Sequence, residues 1–376
     1  MSAAPTSASV QPTTEPATEP TTETAPVRPG EELDWARLEA YLRATVPGLE
    51  GDFSVLQFPR GSANLTYQVT VGGTRLVVRR PPMGKVAPGA HDMAREYRVL
   101  SRLNAAYDRA PRALALGEDL SIVGAPFLVT EYRPGVVVWN EVPATMAHRE
   151  DAGRAVGLAV TDALADLHHV DPAAVGLEGL GRPDGYLERQ VRGWLSRWQA
   201  VAEDGKEVVG KVGEELLALL PQRGTGSIIH NDFKIDNCQF APADPDRVVS
   251  VFDWDMATLG DPLADLGTLL NYWPDADAAA AIAIPGLDRL GLPTKDEVVA
   301  RYAERRGLDL TRSDLLWYEA LGCWKTAVIM QQLYMRWVRG ESNDPRMGER
   351  GGPVVPLATR ALELLGSARL HGRKFS

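Results

Sequence analysis

From Ser227 to Gly267 the chain reads SIIHNDFKIDNCQFAPADPDRVVSVFDWDMATLGDPLADLG, and no other stretch constrains the fold as tightly. Ile228 and Ile229 carry a buried-strand signal, and the polar cluster His230, Asn231, Asp232, Phe233, Lys234, Ile235, Asp236, Asn237 follows at once. Two apolar runs, CQF and VVSVF, then bracket the Pro/Asp-rich turn APADPDR, which is the pattern of a β-hairpin. A turn centred near Pro245 sets Asn237 opposite Asp253, and residues directly opposite each other have Cβ atoms about 5 Å apart. One amide oxygen and one carboxylate would then converge at the open end of the hairpin. Such oxygen ligands suit Mg²⁺, which keeps waters and takes further ligands from substrate phosphates. Asp232 sits on the loop above the same end. A carboxylate left off the metal there can orient a hydroxyl and accept its proton.

The rest of the chain is enough to surround such a site. Its 376 residues are 44% hydrophobic and 24% charged, sufficient for one large domain or two lobes sharing a cleft. Lys and Arg number 40 against 50 Asp and Glu, a formal charge of −10, so a nucleic-acid partner is not expected. The two cysteines, Cys238 and Cys323, form neither a CxxC nor a Cys/His cluster and read as small buried apolar residues. No run approaches the ~18 apolar residues of a membrane helix, and the first residues lack the charged and apolar regions of a signal peptide. A cytoplasmic location without a membrane partner is the expectation.

Residues 1–30, rich in Thr, Pro, Glu, Ala and Ser, are expected to form a disordered tail, with order beginning near Leu33. Trp35, Leu38, Leu42 and Val46 have helical spacing, and Pro47-Gly48 stops that helix. Short β-type runs follow at Phe53–Phe58, Leu65–Val71, Leu76–Val78 and Phe127–Glu131. Met93, Tyr97, Leu100 and Leu103 mark a helix among them. Beyond about residue 145 helical stripes dominate: Val156, Val160, Ala163, Leu164 and Leu167; Leu216, Leu219 and Leu220; Trp324, Val328, Gln331 and Met335. The organisation is therefore α+β: a β-rich N-lobe over 31–135 and a mostly helical C-lobe over 136–376.

His230-Asn231-Asp232-Phe233-Lys234-Ile235-Asp236-Asn237 followed by Asp253 has the H-x-D-x-x-x-x-N form of the protein-kinase catalytic loop with its metal-binding Asp. Asp253-Trp254-Asp255, with Gly260-Asp261-Pro262-Leu263-Ala264-Asp265-Leu266 behind it, resembles the aminoglycoside phosphotransferase and choline kinase-like superfamily. The segment FDWDMATLGDPLADLG is closest to kinase domains also found fused to acyl-CoA dehydrogenases. The resemblance spans roughly residues 35–370 and implies a two-lobed protein-kinase-like fold. It implies ATP as phosphoryl donor, with GTP not excluded, Mg²⁺ as cofactor and a small-molecule hydroxyl as acceptor. Asp232 would be the base, Asn237 and Asp253 the metal ligands, and Lys234 the cation that offsets charge on the migrating phosphoryl group. Asp255 would touch a second Mg²⁺ or bind loop amides. Asp261 and Asp265 fit helix capping and support of the loop, and His230 fits a hydrogen-bonded brace.

On the nucleotide side, the loop Phe58–Thr66, with Gly61, Ser62 and Asn64, takes the position of the phosphate-covering loop in the resembled family. Arg79 stands where V-A-I-K carries Lys, with Glu96 as its helix partner; Arg keeps the charge and binds phosphate or carboxylate bidentately. Phe127–Tyr132, including Glu131 and Tyr132, matches the strand whose backbone would meet the purine edge. The acceptor side is expected among Trp317, Tyr318, Trp324, Lys325, Tyr334, Arg336 and Trp337, with Lys325 and Arg336 as candidates to meet an anionic acceptor; the competing reading makes the aromatics a buried helix face and the two cations surface groups. A hydroxyacyl-CoA or similar metabolite is favoured, ahead of an aminoglycoside. The reading from another class is a nucleotide-binding regulatory module without turnover.

Overall fold

The computed structural model describes residues 23–59, 64–83, 91–221, 226–274, 286–342 and 344–370. Gly61 and Ser62 lie outside these residues, as do Asp275 and Asp277. The chain divides into two units, one of residues 1–101 and 111–132, the other of residues 102–110 and 133–376.

The first unit is built on alternation. Helix α1 (Trp35–Thr45) is capped by Asp34, whose carboxylate accepts from the Arg37 N–H. Strands β1 (Phe53–Gln57), β2 (Leu65–Val71) and β3 (Thr74–Arg80) form antiparallel pairs. Every second residue of β2 is buried, so one face of the sheet supplies Val69, Val71, Leu76 and Val78 to a core closed by Leu38 and Leu42 of α1. Helix α2 (Met93–Leu103) is followed by β4 (Ala113–Gly117), a four-residue helix α3 (Leu120–Val123) and β5 (Phe127–Glu131). The sheet order is β1-β2-β3-β5-β4. The edge strand β4 is a fifth strand beyond the four read from the sequence. Pairing also starts before Leu33: Ala25 bridges Gln57, Arg28 N–H donates to Gln57 Oε1 at 2.8 Å, and Tyr67 Oη donates to Glu31 O at 2.6 Å. Order thus reaches into the segment assigned to the tail, because backbone pairing to β1 and one buried tyrosine hold it despite its composition.

Beyond residue 132 the second unit runs through β6 (Val136–Val137), α4 (Ala152–His169), α5 (Tyr186–Gln199) and α6 (Glu207–Ala218). The stripe Val156, Val160, Ala163, Leu164 and Leu167 of α4 is buried throughout. Helix α6 ends at Ala218, so Leu219 and Leu220 fall beyond it. Strand β7 (Ser227–Ile229) leads into the loop, β8 (Cys238–Ala241) and β9 (Asp244–Val251) make the hairpin, and β10 (Thr258–Gly260) pairs back onto β7. Helices α7 (Pro262–Tyr272), α8 (Lys295–Arg306), α9 (Leu316–Val338), α10 (Pro345–Gly348) and α11 (Val354–Leu370) complete the unit. Helices α7 and α9 cross closely at glycines: a Cβ on Gly267 would lie 2.5 Å from the Tyr318 backbone, and one on Gly322 3.0 Å from Gly267 O. Cys238 and Cys323 are free and buried, and burial pushes the Cys323 thiol up to about 12. Among the described residues no helix is long and apolar enough to cross a membrane.

Candidate active site

The loop between β7 and β8 is suspended from one buried carboxylate. Asp265, in the first turn of α7, is fully buried and accepts from His230 N–H at 2.5 Å and Asn231 N–H at 2.7 Å. His168 Nε2 lies 3.3 Å from the same carboxylate, and Tyr302 Oη lies 2.7 Å from His168 Nδ1. Burial alone would raise the Asp265 pKa, but His168 and His230 more than offset it and hold the group below its usual value. The neighbouring Asp261 caps α7 through the Leu263 N–H and accepts from Tyr318 Oη at 2.8 Å. Both acids thus hold the loop and its helix. His230 braces the turn as well: Nε2 sits 2.7 Å from Phe252 O, and Asp232 N–H donates to Nδ1 at 3.3 Å. One tautomer, with the proton on Nε2, satisfies both bonds.

Asn231 adopts φ +70° and Asp253 φ +67°, left-handed backbone that costs a non-glycine residue about 1–3 kcal/mol unless its surroundings over-determine it. At Asn231 they do. Tyr186 Oη donates to Asn231 Oδ1 at 2.6 Å, Asn231 Nδ2 donates to Met256 O at 2.9 Å, and Lys325 Nζ donates to Asn231 O at 2.7 Å.

Around Asp232 the charged groups are close. Lys234 Nζ stands 3.4 Å from Asp232 Oδ2 and 3.7 Å from Asp236 Oδ2, beside the Tyr272 ring at 5.5 Å. Burial opposes the Lys234 charge, yet Asp232, Asp236, Tyr272 and Asp253 together raise its pKa, so the ammonium persists. Burial raises the Asp236 pKa against the pull of Lys234. Asn237 Nδ2 donates to Asp232 O at 2.8 Å and to Asp232 Oδ2 at 3.2 Å. The amide nitrogen is thereby spent inside the loop, and the oxygen is the end of that side chain that could hold a metal.

The hairpin register differs from the expectation by one residue. Its turn falls at Pro242-Ala243, not at Pro245, and two register shifts along β8 absorb the difference. Cys238 pairs with Val251, and Phe252 N–H donates to Asn237 O at 2.9 Å. Asn237 therefore faces Phe252, and Asp253 follows one residue beyond the last rung. The left-handed turn at Asp253 ends the strand there, and its charge acts on Lys234. The donor set fits a magnesium ion: one amide oxygen and one carboxylate, both hard ligands. Among the described residues no group of three or more His, Cys, Asp or Glu side chains could hold a metal. A divalent ion on Asn237 and Asp253 would thus take its other ligands from water and phosphate.

In the first unit, Arg79 on β3 pairs with Glu96 on α2 at 2.6 Å, both largely buried, the pairing that the family resemblance implies. With its amide oxygen turned toward Arg79, as the surrounding donors require, Asn64 accepts from Arg79 Nε at 3.0 Å and donates to His91 Nδ1 at 2.8 Å. Asn64, Arg79 and Glu96 form one network. Glu131 is engaged otherwise: its carboxylate accepts from Arg112 Nε at 2.6 Å, and its N–H donates to Arg112 O at 3.0 Å. The Tyr132 ring lies under the Arg75 guanidinium at 4.2 Å.

The expected acceptor-side residues need correction. Trp317, Tyr318 and Trp324 are buried in the helical core, with indole N–H groups donating to Leu216 O at 3.2 Å and Val209 O at 2.7 Å for the two tryptophans. Lys325 is committed to the Asn231 carbonyl and is no surface cation. Arg336 and Trp337 are exposed near the end of α9. The spacing of Trp317, Tyr318 and Trp324 is that of a buried helix face.

The sequence profile of the phosphotransferase enzyme family matches residues 54–304. The chain belongs to that family. It is 32% identical to acyl-CoA dehydrogenase family member 11 of Gallus gallus over 352 residues, 91% of this chain and 44% of that protein. It is 30% identical to acyl-CoA dehydrogenase family member 10 of Mus musculus, over 90% of this chain and 32% of that protein. The chain thus spans less than half the length of these curated relatives. Among solved structures, a putative aminoglycoside phosphotransferase from Ralstonia eutropha superposes with a TM-score of 0.75 at 30% identity, covering 89% of this chain and 99% of the other. A choline/ethanolamine kinase family protein from Mesorhizobium loti gives a TM-score of 0.56 at 18% identity, covering 90% of this chain and 99% of the other, a likeness of fold. The phosphotransferase has the α+β, kinase-like fold that the Ser227–Gly267 segment implied.

Proposed function

We propose that this phosphotransferase is a magnesium-dependent kinase that moves the γ-phosphoryl group of ATP onto the hydroxyl of a small molecule. One observation carries the reading. Asn237 gives its amide nitrogen to Asp232, and its backbone carbonyl accepts from the residue preceding Asp253. A carboxylate base and an amide oxygen thus belong to one hydrogen-bonded unit, the residue before Asp253 is bonded to it, and the Asp253 charge acts on the Lys234 ammonium beside Asp232. In the proposed reaction Asp232 orients the acceptor hydroxyl and takes its proton, while Lys234 offsets charge on the transferred group. Asn237 and Asp253 would hold Mg²⁺, which draws the phosphate oxygens together and neutralises their charge. Arg79, set by Glu96 and Asn64, would bind the α- and β-phosphates. Glu131 has given its one backbone donor to Arg112, so a purine edge would meet other backbone groups near Tyr132.

For the acceptor we propose a hydroxylated acyl-CoA, on the strength of the curated relatives, which are named for acyl-CoA dehydrogenases. An aminoglycoside is the second reading, favoured by the name of the Ralstonia structure. A coupled ADP-release screen with Mg·ATP over hydroxyacyl-CoAs, aminoglycosides and amino alcohols tests both. ADP release dependent on one acceptor class supports the kinase and names its substrate. Mg·ATP binding by calorimetry without release across the panel would turn the assignment toward a regulatory module.

A further inference from the structure

We infer that Lys325, on α9, is a positioning residue for the catalytic loop: its ammonium holds the Asn231 carbonyl, and through that peptide it fixes Asp232. The inference builds on the role proposed for Asp232 above.

The carbonyl of Asn231 and the N–H of Asp232 belong to one planar peptide unit. Both edges of that plane are held. Lys325 Nζ donates to the oxygen at 2.7 Å, and the N–H donates to His230 Nδ1 at 3.3 Å. The plane therefore cannot rotate without losing a charge-assisted hydrogen bond, roughly twice as strong as a neutral one. The residue before it needs such restraint, because Asn231 sits at φ +70°. Its side chain is tied to Tyr186 and Met256 and its N–H to Asp265. These three anchors act on the N-terminal side of the plane; Lys325 acts on the plane itself.

The company Lys325 keeps argues for a purpose beyond packing. Among the described residues it has no carboxylate within ion-pair distance; its neighbours are a peptide carbonyl and the Trp194 ring at 5.7 Å. Removing an ammonium from water without a paired anion is costly, and a methionine would fill the same space without that cost. Burial lowers the Lys325 pKa, and the charges of Asp232 and Asp265 oppose the shift.

Lys325→Met keeps the stem and removes the charge. Hydrogen–deuterium exchange of the full chain, read on peptides covering residues 230–233, is expected to become about tenfold faster at the Asn231 and Asp232 amides, with α9 and α11 unchanged. Turnover of Mg·ATP with water as acceptor is expected to fall about tenfold, with KM for the nucleotide unchanged within twofold. In an Asp232→Asn background the same substitution is expected to cost no further turnover. Unchanged exchange in the loop overturns the inference whether or not the chain is a kinase. Faster exchange spread evenly over α9 would assign Lys325 to general stability instead. A further loss in the Asp232→Asn background would show that it does not act through Asp232. If wild-type chain does not turn over nucleotide with water, the exchange measurement still decides the role of Lys325, and the kinase reading stands or falls on the acceptor panel. Should Lys325→Met not fold, Lys325→Gln, which keeps a polar head but stops short of the carbonyl, is measured in the same way.

Discussion

Replacing Asp265 by Asn removes one charge and exchanges one acceptor oxygen for a donor, with almost no change in volume. The carboxylate is fully buried and accepts from two backbone N–H groups at 2.5 and 2.7 Å, with His168 at 3.3 Å. An asparagine keeps a single oxygen, so its NH₂ must face either the Asn231 N–H or, together, the His230 N–H and His168 Nε2, which share Oδ2. One buried donor is then left unsatisfied, at about 1–3 kcal/mol, and the surviving bond loses its charge assistance, about another 1 kcal/mol. The sum, ~2 to 4 kcal/mol, overlaps the ~3–5 kcal/mol seen when one partner of a buried charged pair is deleted. Every tryptophan except Trp35 lies in the second unit, so tryptophan fluorescence during urea unfolding reports chiefly on that unit. With an m-value near 3 kcal/mol/M, the midpoint should fall by about 1 M at pH 7.5. The folded pKa of Asp265 is depressed, so its contribution is full above the unfolded value of 3.8 and is lost as pH falls through the lower folded value. The gap between wild type and variant should therefore close below about pH 4. A midpoint shift under about 0.3 M at pH 7.5 would refute the claim that the loop hangs on this carboxylate.

Two further outcomes follow from the site. Asp232→Asn should lower turnover by about 10²–10⁴-fold while the calorimetric Kd for Mg·ATP changes little, because the side chain acts on the acceptor proton; equal turnover would remove Asp232 from the base role. His168 is held neutral by burial, with its pKa below 6.5 despite Asp265. The unfolded chain therefore takes up this proton first, and stability should decline as pH falls from about 6.5 toward the lower folded value. Urea midpoints across that window should flatten in His168→Gln, and an unaltered slope would exclude this histidine as the cause.

Much of this architecture is legible in the chain because the informative signals are local. The alternation in Leu65–Val71, the Pro–Gly stop after α1 and the apolar stripe of α4 each state a period that the fold keeps. What is missed depends on context. Strand β4, ALALG, carries residues with little β preference and becomes a strand through its pairing with β5. The Trp317, Tyr318 and Trp324 spacing is identical for a buried helix face and for a wall open to substrate, so only burial decides between them. Lys325 has no signal at all in sequence, since its meaning lies in a carbonyl far away along the chain.

The register of the hairpin shows why the site could be anticipated for a reason that is partly wrong. A regular ladder centred on Pro245 sets Asn237 across from Asp253. In the structure the rung opposite Asn237 is Phe252. In an ideal strand such a slip would turn every following side chain to the other face, Asp253 included. The chain escapes this because Asp253 leaves the strand with φ +67° at the position where the flip would have occurred, and its charge still acts on Lys234 beside Asp232. The proposed metal site therefore depends on one left-handed residue as much as on the two side chains. Asp tolerates that backbone better than most residues, which adds a conformational reason to the chemical one for an aspartate there. Sequence spacing states which groups can meet; the backbone departures at Asn231 and Asp253 state how.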